Sequence, residues 1–191
     1  MRTCKRVVAA RAMLASFVAF GWILSANAQT PHVPEGPRLG VPVSVAEIAS
    51  WDISIGPDGA GLPPGKGTAA TGAGVYQAKC LACHGEKGAG KPSDQLVGGQ
   101  GTLRDANAVR TVGSYWPYST TLFDYIRRAM PYVAPQSLTP NELYSLCAYI
   151  LFLNGVIGET DEMNATTLPK VKMPNRDNFV SAYTEPPHPS R

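Results

Sequence analysis

Cys80-Leu81-Ala82-Cys83-His84 decides how the rest of the chain is read. Two thiols three positions apart, with an imidazole directly after the second, form the attachment pattern of a c-type haem. One helical turn can present both sulfurs to the two vinyl groups of a porphyrin while His84 swings under the iron. Two thioethers and one axial ligand then come from five residues.

Other uses of this stretch fit less well. A zinc site needs four donors, and the chain has no second CxxC and no HxxxH. A thioredoxin-like redox pair follows a strand and opens a helix. The approach here, Gly72-Ala73-Gly74-Val75-Tyr76-Gln77-Ala78-Lys79, reads as helix up to Cys80. CxxCH occurs once, so one covalent haem c per chain is expected.

Outward from the motif, the N-terminus carries an address. Arg2, Lys5, Arg6 and Arg11 precede an apolar run from Ala12 to Leu24, and Ala26-Asn27-Ala28 follows as an A-x-A cleavage signal. Residues 1–28 therefore read as a secretory signal peptide, too short to anchor the mature protein, and the product is expected in the periplasm with no membrane span. The full chain has 191 residues, 17 basic and 14 acidic, for a formal charge of +3. Removing residues 1–28 takes four basic residues and no acidic one, which brings the charge to −1. That balance gives no support to nucleic acid or an anionic membrane as partner. Cys4 leaves as well, so Cys147 becomes a lone thiol, read as a small buried hydrophobe in an apolar helix, with a dimer-forming disulfide as the alternative.

Residues 29–70 are a Pro- and Gly-rich arm with one short helix around Val45 to Trp51, started by Ser44 and Glu47 in a capping-box pattern. Trp51 and Ile53 are the expected anchors of this arm. The compact domain, 71–157, is expected to hold four helices. The first carries Gly72 and Tyr76 on one face. A short one is expected over Ala106 to Val112. The third runs from Ser119 to Ala129 with Leu122, Tyr125, Ile126 and Ala129 on one side, and is stopped by Pro131. The last starts at Thr139-Pro140-Asn141-Glu142, carries the stripe Leu143, Leu146, Ile150 and Leu153, and ends at Asn154-Gly155. No strand pattern of convincing length occurs, and 158–191 is an irregular tail.

A low-spin haem takes a second strong ligand, often a Met thioether. His32 and His188 lie in the flexible ends, and Met163 lies in a polar surface context, Asp161-Glu162-Met163-Asn164. Met130 and Met173 each precede proline, which biases a residue out of the helical region and lets its side chain project from a loop. Met130 is preferred, with Met173 as the alternative.

These residues resemble the class I cytochrome c family, an all-α fold in which N- and C-terminal helices cross beside one covalently bound haem. The family's small residue and aromatic, eight and four positions before the first haem cysteine, match Gly72 and Tyr76. Its C-terminal helix aromatic matches Tyr149, and its Met-Pro matches Met130-Pro131. One departure stands out: the family's proline two residues before a leucine, whose carbonyl accepts the histidine Nδ1 proton, is not in register, because Pro92 and Leu96 are four apart. A closer resemblance runs through Trp51-Asp52-Ile53, Pro57-Asp58-Gly59-Ala60-Gly61-Leu62-Pro63, residues 111–118, residues 121–131 and Val171-Lys172-Met173-Pro174-Asn175-Arg176-Asp177. These are similar to the SoxD-type cytochrome subunit of periplasmic sulfur or sulfite dehydrogenases. The resemblance implies a single-electron carrier that accepts electrons from a molybdenum-cofactor subunit, with another c-type cytochrome as onward partner. Larger members carry two haem domains, and this chain corresponds to one. The rival expectations are a free periplasmic shuttle, or a haem enzyme or sensor with an open iron site such as a thiosulfate dehydrogenase or a peroxidase. Lys79, Lys87, Lys91, Arg127 and Arg128 are candidates for steering an acidic partner. Trp116 and Tyr118 are candidates for propionate contacts, or for core filling.

Overall fold

The computed structural model describes residue 36 and residues 39–180; the signal-peptide reading, His32 and His188 lie outside them. In chain order the elements are α1 (Val45–Trp51), β1 (Lys66–Gly67), α2 (Ala69–Lys79), α3 (Leu81–His84), α4 (Ser119–Ala129), α5 (Pro140–Leu153) and β2 (Met163–Asn164). β1 and β2 form a two-residue antiparallel pair, Lys66 opposite Asn164 and Gly67 opposite Met163. The fold is all-α apart from this clasp. No helix among the described residues is long and apolar enough to cross a membrane.

α5 is the centre. Its start is fixed twice, by Pro140 in the first turn and by a reciprocal cap in which Thr139 N–H donates to Glu142 Oε2 at 2.8 Å and Glu142 N–H donates to Thr139 Oγ1 at 3.3 Å. From Leu143 to Ala148 every side chain is buried, as are Ile150 and Leu151. A helix apolar on all sides belongs in the middle of a domain rather than on its face, so the four-residue stripe understated its burial.

α2 crosses α5 through its glycine. A Cβ on Gly72 would meet the Ser145 carbonyl and come within 2.7 Å of Tyr149 Cβ, so only glycine permits this approach. Thr71 Oγ1 donates to Ser145 Oγ at 2.9 Å, and the Tyr76 and Tyr149 rings meet at 5.3 Å between centroids. α4 packs from another side, with the Phe123 and Tyr144 rings 4.7 Å apart. Its observed bounds match the sequence reading, and Leu122 and Ile126 are buried as expected, but Tyr125 of the same stripe is exposed and lies edge-on to Trp116 at 5.7 Å.

Three expectations need correction, and the irregular tail adds to the core. Residues 106–112 are not helical, and a short 3₁₀ turn at Thr102–Arg104 takes their place. There Thr111 N–H donates to Ser114 Oγ (2.8 Å), Ser114 Oγ donates to Val109 O (2.7 Å) and Thr111 Oγ1 donates to Gly98 O (2.5 Å). Hydroxyls bonded to nearby backbone compete with helix formation and win here. Trp51 does not anchor the arm, being 82% exposed; Ile55 and Leu62 pack on the core instead. Met163 is buried despite its polar neighbours, because the β1–β2 clasp turns it inward. The tail contributes to the core rather than trailing from it: Leu168 and Met173 are fully covered, Leu168 O accepts from Ser119 Oγ at 2.6 Å, and Asn175 Nδ2 donates to Tyr115 O at 2.8 Å.

Candidate functional site

Cys80 closes α2, its N–H donating to Tyr76 O at 2.8 Å, and the chain re-enters a helix at once as α3. Cys80 and Cys83 are free thiols on either side of that single turn, Cys80 half-buried and Cys83 exposed. Burial pushes the Cys80 thiol up to about 11, with Lys79 opposing and Cys83 adding to the shift.

His84 ends α3, and its ring is fixed by Nδ1, 2.9 Å from the Asp94 carbonyl. That contact sets the tautomer with the proton on Nδ1 and leaves Nε2 as the free donor atom. It also answers the departure noted above. Asp94 stands two residues before Leu96, where the family has its proline, and it supplies the same carbonyl. The loop is folded to deliver it: Gly90 N–H donates to His84 O (2.8 Å), Ser93 N–H to Cys83 O (2.9 Å) and Leu96 N–H to Gly88 O (2.9 Å). Gly85 sits at φ 72° against Gly90, where a side chain would be both strained and blocked.

Tyr76 connects this loop to the helix crossing. Its hydroxyl donates to Gly85 O at 2.9 Å, and burial, reinforced by Cys80, raises its pKa to about 12. Asn154, read only as a helix stop, proves to be a hub. Its Nδ2 donates to Leu96 O at 3.2 Å, and its Oδ1 accepts from Gly98 N–H at 3.1 Å. Gly113 is packed so closely on Asn154 that a Cβ would overlap the amide. Asn154 thus ties the end of α5 to the loop that carries Asp94.

The two candidate methionines differ in burial. Met173 is 1% exposed and belongs to the core. Met130 is the C-cap of α4, extended at φ −123° and ψ 144°, half-buried against the core cluster that also receives Cys80, Leu81, Leu96, Trp116 and Leu138. Those six side chains keep part of their apolar surface open. The donor set fits a large apolar group that carries iron: two unpaired thiols three residues apart, one imidazole whose Nδ1 is held by a backbone carbonyl, and one half-buried thioether at a helix end. A c-type haem thus fits the residues present, with Cys80 and Cys83 to hold it and His84 and Met130 to ligate its iron. When bound, the haem supplies one-electron ferric–ferrous chemistry.

Of the candidate steering residues, Lys79 pairs with Glu142 at 3.0 Å, Arg128 pairs with Asp124 at 2.9 Å, and Arg127 Nη1 reaches Ile53 O at 3.4 Å. Lys87 and Lys91 are exposed. Trp116 packs on the core beside Tyr125, and Tyr118 lies under the Arg176 guanidinium at 5.2 Å. Cys147 is completely buried and its thiol pKa is raised by that burial, in keeping with a packing role.

Comparison with known proteins agrees with this geometry. The family model for subunit III of the cbb3-type cytochrome c oxidase matches residues 67–150. A chain in the crystal structure of the sulfane dehydrogenase SoxCD from Paracoccus pantotrophus matches at 36% sequence identity and a TM-score of 0.72, covering 78% of this chain and 73% of that one. No curated protein gives a significant match. Identity at that level across roughly three quarters of both chains, on a helix crossing built around Gly72 and Tyr76, makes the chain a member of the class I c-type cytochromes, resembling the SoxD type.

Proposed function

We propose that this cytochrome carries a single haem c, tethered through Cys80 and Cys83 and ligated by His84 and Met130, and that it accepts electrons one at a time from the molybdenum subunit of a periplasmic sulfur or sulfite dehydrogenase. The signal peptide over 1–28, the arm over 29–70, the haem domain over 71–157 and the tail over 158–191 belong to the same reading. The observation that carries it is the 36% identity to a SoxCD chain over 78% of this one, joined to the half-open setting of Met130.

The residues divide the work. His84 is oriented by the Asp94 carbonyl, which holds the ring in place for ligation through its other nitrogen. A thioether at Met130 favours the ferrous state relative to a second imidazole, and the apolar side chains around it disfavour the extra charge of the ferric state. Both effects raise the potential, which suits an acceptor. The protein's part is to hold two ligands still and exclude water while the charge changes.

Two measurements test this reading. If Met130 closes the iron, the reduced protein binds carbon monoxide only slowly, as the thioether leaves, whereas Met130→Ala binds it rapidly; rapid CO binding by the native protein would favour an open-iron enzyme or sensor. If the chain is a subunit, it co-purifies with a molybdenum-cofactor protein through a salt gradient. Elution alone at every ionic strength would favour the free shuttle.

A further inference from the structure

Between α1 and β1 the chain has no regular structure, yet residues 53–55 are gripped by side chains of α4. The Ile55 N–H donates to Asp124 Oδ1 at 3.2 Å, across 69 residues of sequence. The same carboxylate receives Arg128 Nε on both oxygens, each at 2.9 Å. Arg128 Nη2 goes on to Ser54 Oγ at 3.2 Å, and Arg127 Nη1 to Ile53 O at 3.4 Å. The Ile55 side chain then packs on the core.

A carboxylate and a guanidinium one turn apart on an open helix contribute little, because water screens them and both side chains lose freedom. This pair differs in two respects. Its side chains are only 26% and 39% exposed, and the carboxylate accepts a backbone N–H from a distant segment. The grip runs from Asp124 in the middle of α4 to Arg127 and Arg128 in its last turn. The residue after the helix, Met130, hangs from that turn by a single backbone bond, its N–H to Ile126 O at 3.0 Å. Helix ends open locally more readily than helix middles. A ligand placed at the cap moves with the turn before it.

We propose that Asp124 is a positioning residue for the distal ligand: by holding Ile55 directly and Ser54 through Arg128, beside the separate Arg127 bond to Ile53, it keeps the end of α4 closed and the Met130 thioether on the iron. The proposal rests on Met130 being that ligand, and it adds a determinant remote from the haem motif. Loss of the clamp raises the fraction of time the thioether is off, so an external ligand enters faster.

Carbon monoxide entry into the reduced holoprotein, followed by stopped-flow spectroscopy, reads that fraction directly. Asp124→Ala removes every bond to the carboxylate and is expected to speed CO binding by about tenfold or more, the scale of losing a charge-assisted hydrogen bond. Asp124→Asn keeps an acceptor for Ile55 N–H but loses the charge, and is expected to give an intermediate rise of about threefold. It also carries the test should Asp124→Ala fail to accumulate. Met130→Ala sets the upper limit. If the Asp124 variants melt earlier but bind CO no faster than the native protein, the clamp holds only the strap and the proposal is overturned while Met130 ligation stands. If the native protein already binds CO as fast as Met130→Ala, the ligand assignment itself fails and the proposal falls with it.

Discussion

The α2–α5 crossing and the half-buried side chains at the edge of the same core, Cys80, Leu96 and Met130 among them, are built from the same kinds of residue and are buried to different degrees. At the crossing Gly72, Ser145, Tyr76 and Leu146 are all buried, and Gly72 lies so close to Ser145 and Tyr149 that there is no room for one more carbon. Cys80, Leu81, Leu96, Trp116, Met130 and Leu138 pack on the same core but are half-buried. The first set is closed; the second includes the residues proposed to tether and ligate the haem. Folding energy and function are thus divided between two faces of one small domain, and a change on one face should be readable separately from a change on the other.

The sharpest way to break this division is to deny the half-buried set its haem. Cys80→Ser with Cys83→Ser removes the proposed tether, and the exported chain is expected to lose about 4 kcal/mol of stability or more, the scale of a saturating native-state ligand removed. Equilibrium urea unfolding measures this. A double variant as stable as the native protein would show that the half-buried set needs no haem.

A step smaller, Gly72→Val attacks the closed face alone. Overpacking of this kind costs about 3 kcal/mol, and the visible spectrum of whatever folds is expected to keep the native axial ligation. Met130→Ala is its mirror image, altering the spectrum and lowering the potential at a smaller cost in stability. If Gly72→Val changes the ligation as strongly as Met130→Ala does, the two faces are not separable.

Alkaline pH probes the closed face further. The Tyr76 and Tyr144 pKa values are both raised to about 12, chiefly by burial. A phenol with a raised pKa contributes stability that is complete below the ordinary value near 10 and is lost as pH climbs towards the folded value. Stability is therefore expected to fall between about pH 10 and 12, and Tyr76→Phe should make that slope shallower. Thermal melts across the range decide it. The smallest effect is at the helix start: Thr139→Ala removes the α5 cap and is expected to cost about 1 kcal/mol. Glu142, whose pKa is lowered chiefly by the Thr139 N–H, adds stability above the ordinary carboxylate range that disappears below it.

What the sequence made legible was local. The C-x-x-C-H turn, the Thr139–Glu142 cap, the limits of α4 and the small-then-aromatic pair Gly72 and Tyr76 each occupy a few consecutive residues or one helix face, and such patterns are written in side-chain identity. The rest is long-range. A backbone carbonyl has no letter of its own, so the Asp94 contact to His84 was visible only through the spacing to Leu96. Asn154 looked like a helix end because its partners at Leu96 and Gly98 lie more than fifty residues earlier. Arg127 and Arg128 looked like surface charge because the strap they hold comes from another part of the chain. Met163 seemed exposed because its neighbours in sequence are polar, whereas its neighbours in space are not.

The central claim is that one porphyrin is bonded to Cys80 and Cys83. Intact-mass spectrometry of the chain, exported through competent maturation machinery and then denatured, tests it most directly. The account predicts the mass of the processed polypeptide plus a single haem, absorbing in the visible and lost in the Cys80→Ser, Cys83→Ser variant. A colourless product at the mass of bare polypeptide would contradict it.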